Sequence, residues 1–340
     1  MKALPGDTIR SRHPWKLRVI GVLITLIVAL VLALMWWWDK EPPAFDVRAA
    51  AAEHAVARGR SVVVGTTTSV ALIEVAGTLM GKRGGYLSND YGPPGVLMDN
   101  LPNWEFGALI QVRDLAKAFR NEFSRSQTQS TEDRDLFEAD PLFSSPSDRW
   151  MLPSSEGQYQ KAIDHVEAYL DRLSDDDEYN AQFFARADNL ADWLSVVEKR
   201  LGSLSQRLSA SVGQERLDTD LAGDPDAQQS TPGQDPRMVK TPWLKVDDVF
   251  YEARGSVWAI NHFLRAVEVD FEPVLRDKNA LVSLKQIIRE LEEAQQPLFS
   301  PIVLNGAPYG FFANHSLVMA NYISRANAAV IDLRKLLERG

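Results

Sequence analysis

The chain has 340 residues, 45% of them hydrophobic and 24% charged, with a formal net charge of −9. That length suits one large domain or two moderate ones, and the composition excludes a disordered or fibrous protein. Lys2, Arg10, Arg12, Lys16 and Arg18 against Asp7 give the first 38 residues a net +4 and leave −13 for the rest. So acidic a body argues against nucleic-acid binding, which needs clustered Lys and Arg. The absence of cysteine excludes disulfides, thiolate metal sites and a cysteine nucleophile.

Residues 1–18 form a short basic tail. Residues 19–38, VIGVLITLIVALVLALMWWW, then run for 20 positions without a charge. At about 1.5 Å per residue such a helix spans roughly the 30 Å hydrocarbon core of a bilayer. Trp36, Trp37 and Trp38 close the run where indoles favour the headgroup boundary, Arg18 marks the other interface, and Asp39, Lys40 and Glu41 follow in water. A cleaved signal peptide would have a shorter apolar region ending in small residues. The run therefore reads as a retained anchor in contact with the lipid bilayer. The basic flank places the N-terminus in the cytoplasm and the C-terminus outside it, which in a Gram-negative bacterium means an inner-membrane protein with a periplasmic body.

Beyond the anchor, residues 39–340 read as one mainly α-helical domain, a helical bundle with long loops. Pro42-Pro43 breaks the membrane helix, and the alanine-rich 46–58 favours another. Residues 61–76 are ambiguous: β-branched positions suit a strand, whereas the later half suits a buried helix. Residues 77–107 are punctuated by Gly, Pro and Asn, the residues of turns. Leu109, Val112, Ala116, Phe119 and Phe123 share a helix face, as do Tyr159, Ile163, Val166, Leu170 and Leu173. Residues 124–155 read as a loop pinned by Leu136, Phe137, Leu142, Phe143, Trp150, Met151 and Leu152. The strictest stripe is Ala187, Leu190, Leu194, Val197, Leu201, Leu204 and Leu208, whose 3–4 spacing suits a bundle seam or self-association. With the acidic break 174–177 as its cap, this stripe makes 156–212 an expected antiparallel hairpin. Residues 213–240 carry six acids with several Pro and Gly and read as a flexible acidic loop or linker. Apolar stripes over 246–271, interrupted at Pro273, then 281–291 and 317–337, predict the remaining helices. A turn rich in Asn, Tyr, Gly and Pro precedes the helices at 107 and 314, an echo that duplication or chance turn composition explains about equally well.

Chemistry-bearing patterns are sparse. Residues 77–83 lack the spacing and the final Ser or Thr of a phosphate loop, and the five histidines form no i, i+4 pair. No G-x-S-x-G elbow occurs, and the pattern calls for neither metal nor cofactor. Residues 84–107 are the one concentration of polar, aromatic and acidic groups. Asp90, Asp99 and Glu105 are its candidate catalytic carboxylates, and Tyr91 and Trp104 its candidate binding platforms, as a glycan-cleaving cleft would use. The same residues suit Asx-turns and a loop packed by its aromatic groups.

The basic tail, the run ending at Trp36-Trp37-Trp38, the turn 84–90 (GGYLSND) and residues 101–107 (LPNWEFG) together resemble a family of proteobacterial membrane-anchored proteins containing a domain of unknown function. The resemblance covers nearly the whole chain. It implies an inner-membrane location and brings no catalytic residues. The leading reading is thus a noncatalytic, membrane-anchored structural or interaction factor of the cell envelope, with envelope or inner-membrane proteins as partners. An envelope-glycan hydrolase working through 84–107 is the alternative. A periplasmic ligand sensor is the third, and its short tail would require a membrane partner for signalling.

Overall fold

The computed structural model describes residues 14–125, 131–175, 177, 180–216 and 237–339. Most of the basic tail and the interior of the acidic 213–240 segment lie outside the described residues. The apolar run forms α1 (Pro14–Trp38), long and apolar enough to cross a membrane, and most of its side chains are exposed. The chain then runs extended through Pro42-Pro43 to α2 (Val47–Ala57). Asp46 caps α2, its carboxylate accepting from the amides of Arg48 at 2.8 Å and Ala49 at 3.1 Å.

The ambiguous segment is helical: α3 (Thr66–Gly81) is buried on nearly every side, which explains why it shows no clean period. Its first turn is held from across the bundle. The buried Asp270 carboxylate accepts from Thr68 N at 2.7 Å and Thr68 Oγ1 at 2.6 Å, placing negative charge at a helix N-terminus. Gly65, at φ 95°, packs so tightly that a Cβ there would sit 2.4 Å from the Phe183 ring.

Helix α4 (Asn100–Ala118) begins seven residues earlier than the expected start at 107 and ends in a π-helical turn at Phe119–Phe123. Pro102 falls within its first turn, where a missing amide hydrogen costs nothing. Part of the expected loop 124–155 is also helical, as α5 (Arg134–Phe143), capped by Asp133. Leu136 and Phe143 do pin it, but Phe137, Trp150, Met151 and Leu152 are exposed. Two long helices follow, α6 (Ser155–Leu173) and α7 (Ala187–Ser209).

The expected α6–α7 hairpin does not form. Helix α6 packs on α3 and α5, while α7 lies along α11 (His315–Glu338), and Arg186 rather than the acidic break occupies the α7 cap position. The α7 seam is buried against this partner in its own chain, so it is no free surface for self-association. Strands β1 (Gln214–Arg216) and β2 (Arg237–Val239) pair antiparallel at the two ends of the acidic segment. Helix α8 (Val246–Asp270) forms the centre of the bundle. It ends before Pro273, which sits at the start of the short α9 (Glu272–Asp277), and α10 (Leu281–Glu293) returns along α8.

Helices α4 and α8 approach each other backbone to backbone at two glycines. A Cβ on Gly107 would lie 2.0 Å from the Glu252 carbonyl oxygen, and one on Gly255 would lie 1.9 Å from that of Trp104. Ser256 Oγ donates to Gly107 O at 3.1 Å across this crossing. The pair runs parallel, with Asn103 bonded to Asp248 near one end and Phe123 packed on Phe271 near the other. Helix α7 runs antiparallel to α11, with Ser205 near Ala320 and Glu198 paired with Arg334. The starts of α4, α8 and α11 and the ends of α3, α7 and α10 therefore share one end of the bundle, and α1 leaves from that end.

Candidate functional site

The candidate residues of 84–107 occupy different environments. Glu105 is fully buried on the second turn of α4. Its carboxylate accepts from Leu87 N at 2.8 Å, Ser88 N at 2.9 Å and Ser88 Oγ at 2.5 Å, and pairs with the equally buried Lys82 at 2.5 Å. Burial pushes this carboxyl upward in pKa, while Lys82 and its hydrogen-bond donors pull it back. Lys82 also donates to Gly85 O, so the pair folds residues 82–88 onto α4. Asp99 stands at the α4 N-cap and accepts from Asn100 N at 3.0 Å. Asp90 lies against Gly95, where a Cβ would meet its Oδ2 at 1.8 Å, and partial burial raises its pKa. Trp104 is fully buried against Trp258, with ring centroids 5.1 Å apart, and Tyr91 is exposed beside Trp150. The segment thus divides into a buried clamp at Glu105 and an exposed turn at Tyr91.

A cleft of about 560 Å³ is formed by the segment 39–44 together with α8, the end of α10 and the residues after it. Two contacts seat the chain there. The buried Arg254 of α8 donates from Nε to Glu41 Oε1 at 2.5 Å and from Nη2 to Oε2 at 2.6 Å. It also donates from Nη1 to Gln296 O at 3.0 Å, while Gln295 Nε2 donates back to Arg254 O at 2.9 Å. One guanidinium thereby joins the anchor's exit, α8 and the end of α10.

The second contact is aromatic. Phe45 stacks on the His262 imidazole, centroids 4.1 Å apart and 19° from parallel. Phe45 N donates to His262 Nε2 at 3.1 Å, so Nδ1 carries the proton and donates to Trp258 O at 2.7 Å. Burial lowers the pKa of this imidazole to about 4, with Arg265 adding to the effect and the Trp258 carbonyl opposing it. Both ring nitrogens are engaged in the neutral form, leaving no free base.

Asp39 stands at the mouth of the cleft, one residue beyond α1. Partial desolvation raises its pKa to about 6, opposed by the Asn100 side chain and helped by the neighbouring Asp99 and Glu41 carboxylates. At the end of α1, the Arg83 guanidinium lies 4.4 Å from the Trp37 ring centre, and Lys40 sits 4.3 Å over Trp36. A Cβ on Gly84 would meet the half-buried Trp38 ring at 2.7 Å. Arg18 is exposed near the other end of α1. Among the described residues, no group of three or more His, Asp or Glu side chains is placed to hold a metal ion.

Sequence reasoning missed this cleft. It placed Glu41 in water, left Arg254 unremarked in an amphipathic helix, and took His262 only as an ordinary histidine of that helix. The available signal was the presence of Arg254 and Asp270 in a segment otherwise rich in core residues, because a charge buried in a core needs a partner.

Anchor, cleft and bundle together define a helical protein with one N-terminal apolar helix long enough to cross a membrane. Residues 10–340 match the family of uncharacterized proteins conserved in bacteria designated DUF2333, and the chain belongs to that family. No curated protein and no solved structure matches it.

Proposed function

We propose that this protein is a noncatalytic interaction factor of the Gram-negative cell envelope, anchored in the inner membrane by α1 with its helical body in the periplasm. The observation that carries the reading is the seating of the anchor's exit in the body through Glu41–Arg254 and Phe45–His262. A tethered enzyme gains little from such a joint. A factor that must present one face at a set orientation to neighbouring envelope proteins depends on it. The engagement of Glu105 in a buried clamp favours the same reading over glycan hydrolysis, which needs a carboxyl free to exchange a proton with substrate.

Topology is tested with a periplasm-active reporter after Gly340 and a cytoplasm-active reporter before Met1, in separate fusions. Activity of both reporters is expected, and silence of both would show the opposite orientation and overturn the topology. The role is tested by crosslinking in intact cells with the full chain. Discrete crosslinked species should form with the native protein and be lost with Glu41→Ala, which unseats the joint. Hydrolysis of purified cell-wall material by the detergent-solubilised protein, abolished by Asp90→Asn or Asp99→Asn, would overturn the noncatalytic reading.

A further inference from the structure

The exposed apolar side chains of the body are unevenly distributed. Two short 3-10 turns at the anchor end of the bundle carry Leu97 and the pair Trp243 and Leu244, the latter two each 75% exposed. The connection between α10 and α11 presents Phe299 at 96%, Phe311 at 98% and a fully exposed Tyr309. At the opposite end the comparable exposures are chiefly single valines, Val56 and Val282 among them, together with Phe137, whose ring lies 4.6 Å from the Arg120 guanidinium.

Leu97, the Trp243–Leu244 turn and Phe299 each connect to the exit of α1 through a short series of contacts. Leu97 lies two residues before Asp99, which caps α4 beside Asn100, the partner of Asp39. Trp243 and Leu244 precede Lys245, which donates to Asp248 at 2.7 Å, and Asp248 accepts from Asn103 on the first turn of α4 at 3.0 Å. Phe299 follows Pro297 and Leu298, which line the cleft holding residues 39–44. Helix α1 itself shows the join. Val31, Leu34, Met35 and Trp38, spaced along one face, are half-buried, whereas the membrane helix before them is exposed throughout. The body therefore reaches alongside the last two turns of the anchor, which are the turns that a bilayer places at its interface.

We infer that the anchor end of the body is a lipid-docking face, whose Leu97, Trp243, Leu244 and the Phe299–Phe311 connection enter the headgroup and upper acyl layer of the membrane that α1 crosses. The inference rests on α1 being the anchor. Large apolar side chains exposed to this extent are unfavourable in water, and Trp, Tyr and Phe are the side chains best suited to a boundary that is apolar on one side and wet on the other. The occupant follows from continuity, because the face extends the lipid contact of α1. Acidic and basic groups are interspersed around it (Lys40, Arg83 and Lys245 with Asp39, Asp99 and Asp247), so docking should proceed by apolar insertion and require no anionic lipid.

The native chain has no cysteine, so single-cysteine variants of the full-length protein can carry one environment-sensitive fluorophore each. Leu97→Cys, Leu244→Cys and Phe311→Cys report on the face, Val56→Cys and Val282→Cys on the far end, and Leu26→Cys on the anchor. Each labelled protein is reconstituted into phosphatidylcholine vesicles and exposed to a quencher attached to lipid acyl chains or to aqueous iodide, with helicity checked by circular dichroism. Loss of emission to the lipid quencher at Leu97, Leu244, Phe311 and Leu26, with iodide quenching only at Val56 and Val282, is the expected result. Lipid quenching at Leu26 while the three face positions respond only to iodide would overturn the docking face and leave it open to a protein partner. Iodide quenching at Leu26 would overturn the anchor itself, and the inference with it.

Discussion

Arg254 and Glu41 stand 213 residues apart and meet through two hydrogen bonds of 2.5 and 2.6 Å, closing the segment that follows the membrane helix onto the centre of the bundle. Removing one partner leaves the other's charge without compensation in a largely buried site. Glu41→Ala should therefore lower stability by about 3 kcal/mol, read as a shift in the denaturant midpoint of the detergent-solubilised protein. The charge-swapped pair Glu41→Arg with Arg254→Glu should recover part of that loss, and an additive result would show that the two side chains do not interact.

Glu105 and Lys82 form a second buried pair, with side-chain exposures of 0% and 2%. Glu105→Ala strands Lys82 and two backbone amides, at a cost of about 3 kcal/mol. Replacing both as Glu105→Leu with Lys82→Met should be milder than the single change, since an apolar pair of similar volume leaves no buried charge. Thermal unfolding of the three variants separates this role from a catalytic one, under which Glu105→Gln would keep its stability and lose turnover.

The neutral His262 makes folding pH-dependent with a definite sign. An imidazole that titrates at 6.5 when unfolded and at about 4 when folded binds more protons in the unfolded chain between those values. Its contribution is fully present above pH 6.5 and is lost as the pH falls toward 4, amounting to about 3 kcal/mol at most. His262→Gln should flatten the stability profile across that window. Asp39, raised to about 6, acts in the opposite sense: its contribution is present below pH 3.8 and lost as the pH rises through 6. Asp39→Asn should consequently steepen the loss of stability on acidification, and denaturant titrations at a series of pH values would show both effects.

The α4–α8 crossing has no room for a methyl group. Gly255→Ala or Gly107→Ala would push a Cβ into a backbone carbonyl oxygen, which cannot move without shifting a helix. A loss of about 3 kcal/mol is expected for either, and an unchanged melting temperature would show that the helices separate readily.

In the α7 seam, Leu194 and Leu201 are fully buried against their own chain. Replacing both by Asp should abolish the helical circular dichroism signal, because buried unpaired charge costs several kcal/mol. A folded variant with an altered oligomeric state would instead make the seam an intermolecular contact.

What the sequence made legible follows from what periodicity measures. Helix α1 is one unbroken apolar run, and α6, α7, α8, α10 and α11 each carry a recurring apolar stripe, so their positions could be read from the sequence alone. Helix α3 lacks a polar face and so showed no period. The start of α4 was hidden by Pro102 and Gly107, read as turn residues, although the first sits harmlessly in an initial turn and the second permits a helix crossing. Pro141 masked α5 in the same way. Periodicity tells which face is buried but not what buries it, and so α7 was matched with α6, its neighbour in sequence, although its partner is α11. The cleft was least legible because its parts, Glu41, Phe45, Arg254 and His262, come from two segments more than 200 residues apart, and neither segment carries a motif.

The seated exit of α1 also sets how far the molecule can act. A body on a slack tether samples a hemisphere, whereas one clasped at its stalk keeps a constant height. Helix α8 spans 25 residues, and at 1.5 Å per residue it is about 38 Å long. Clasped through Glu41 and Arg254, that length of core helix follows every turn of α1, so a rotation of the one is a rotation of the other.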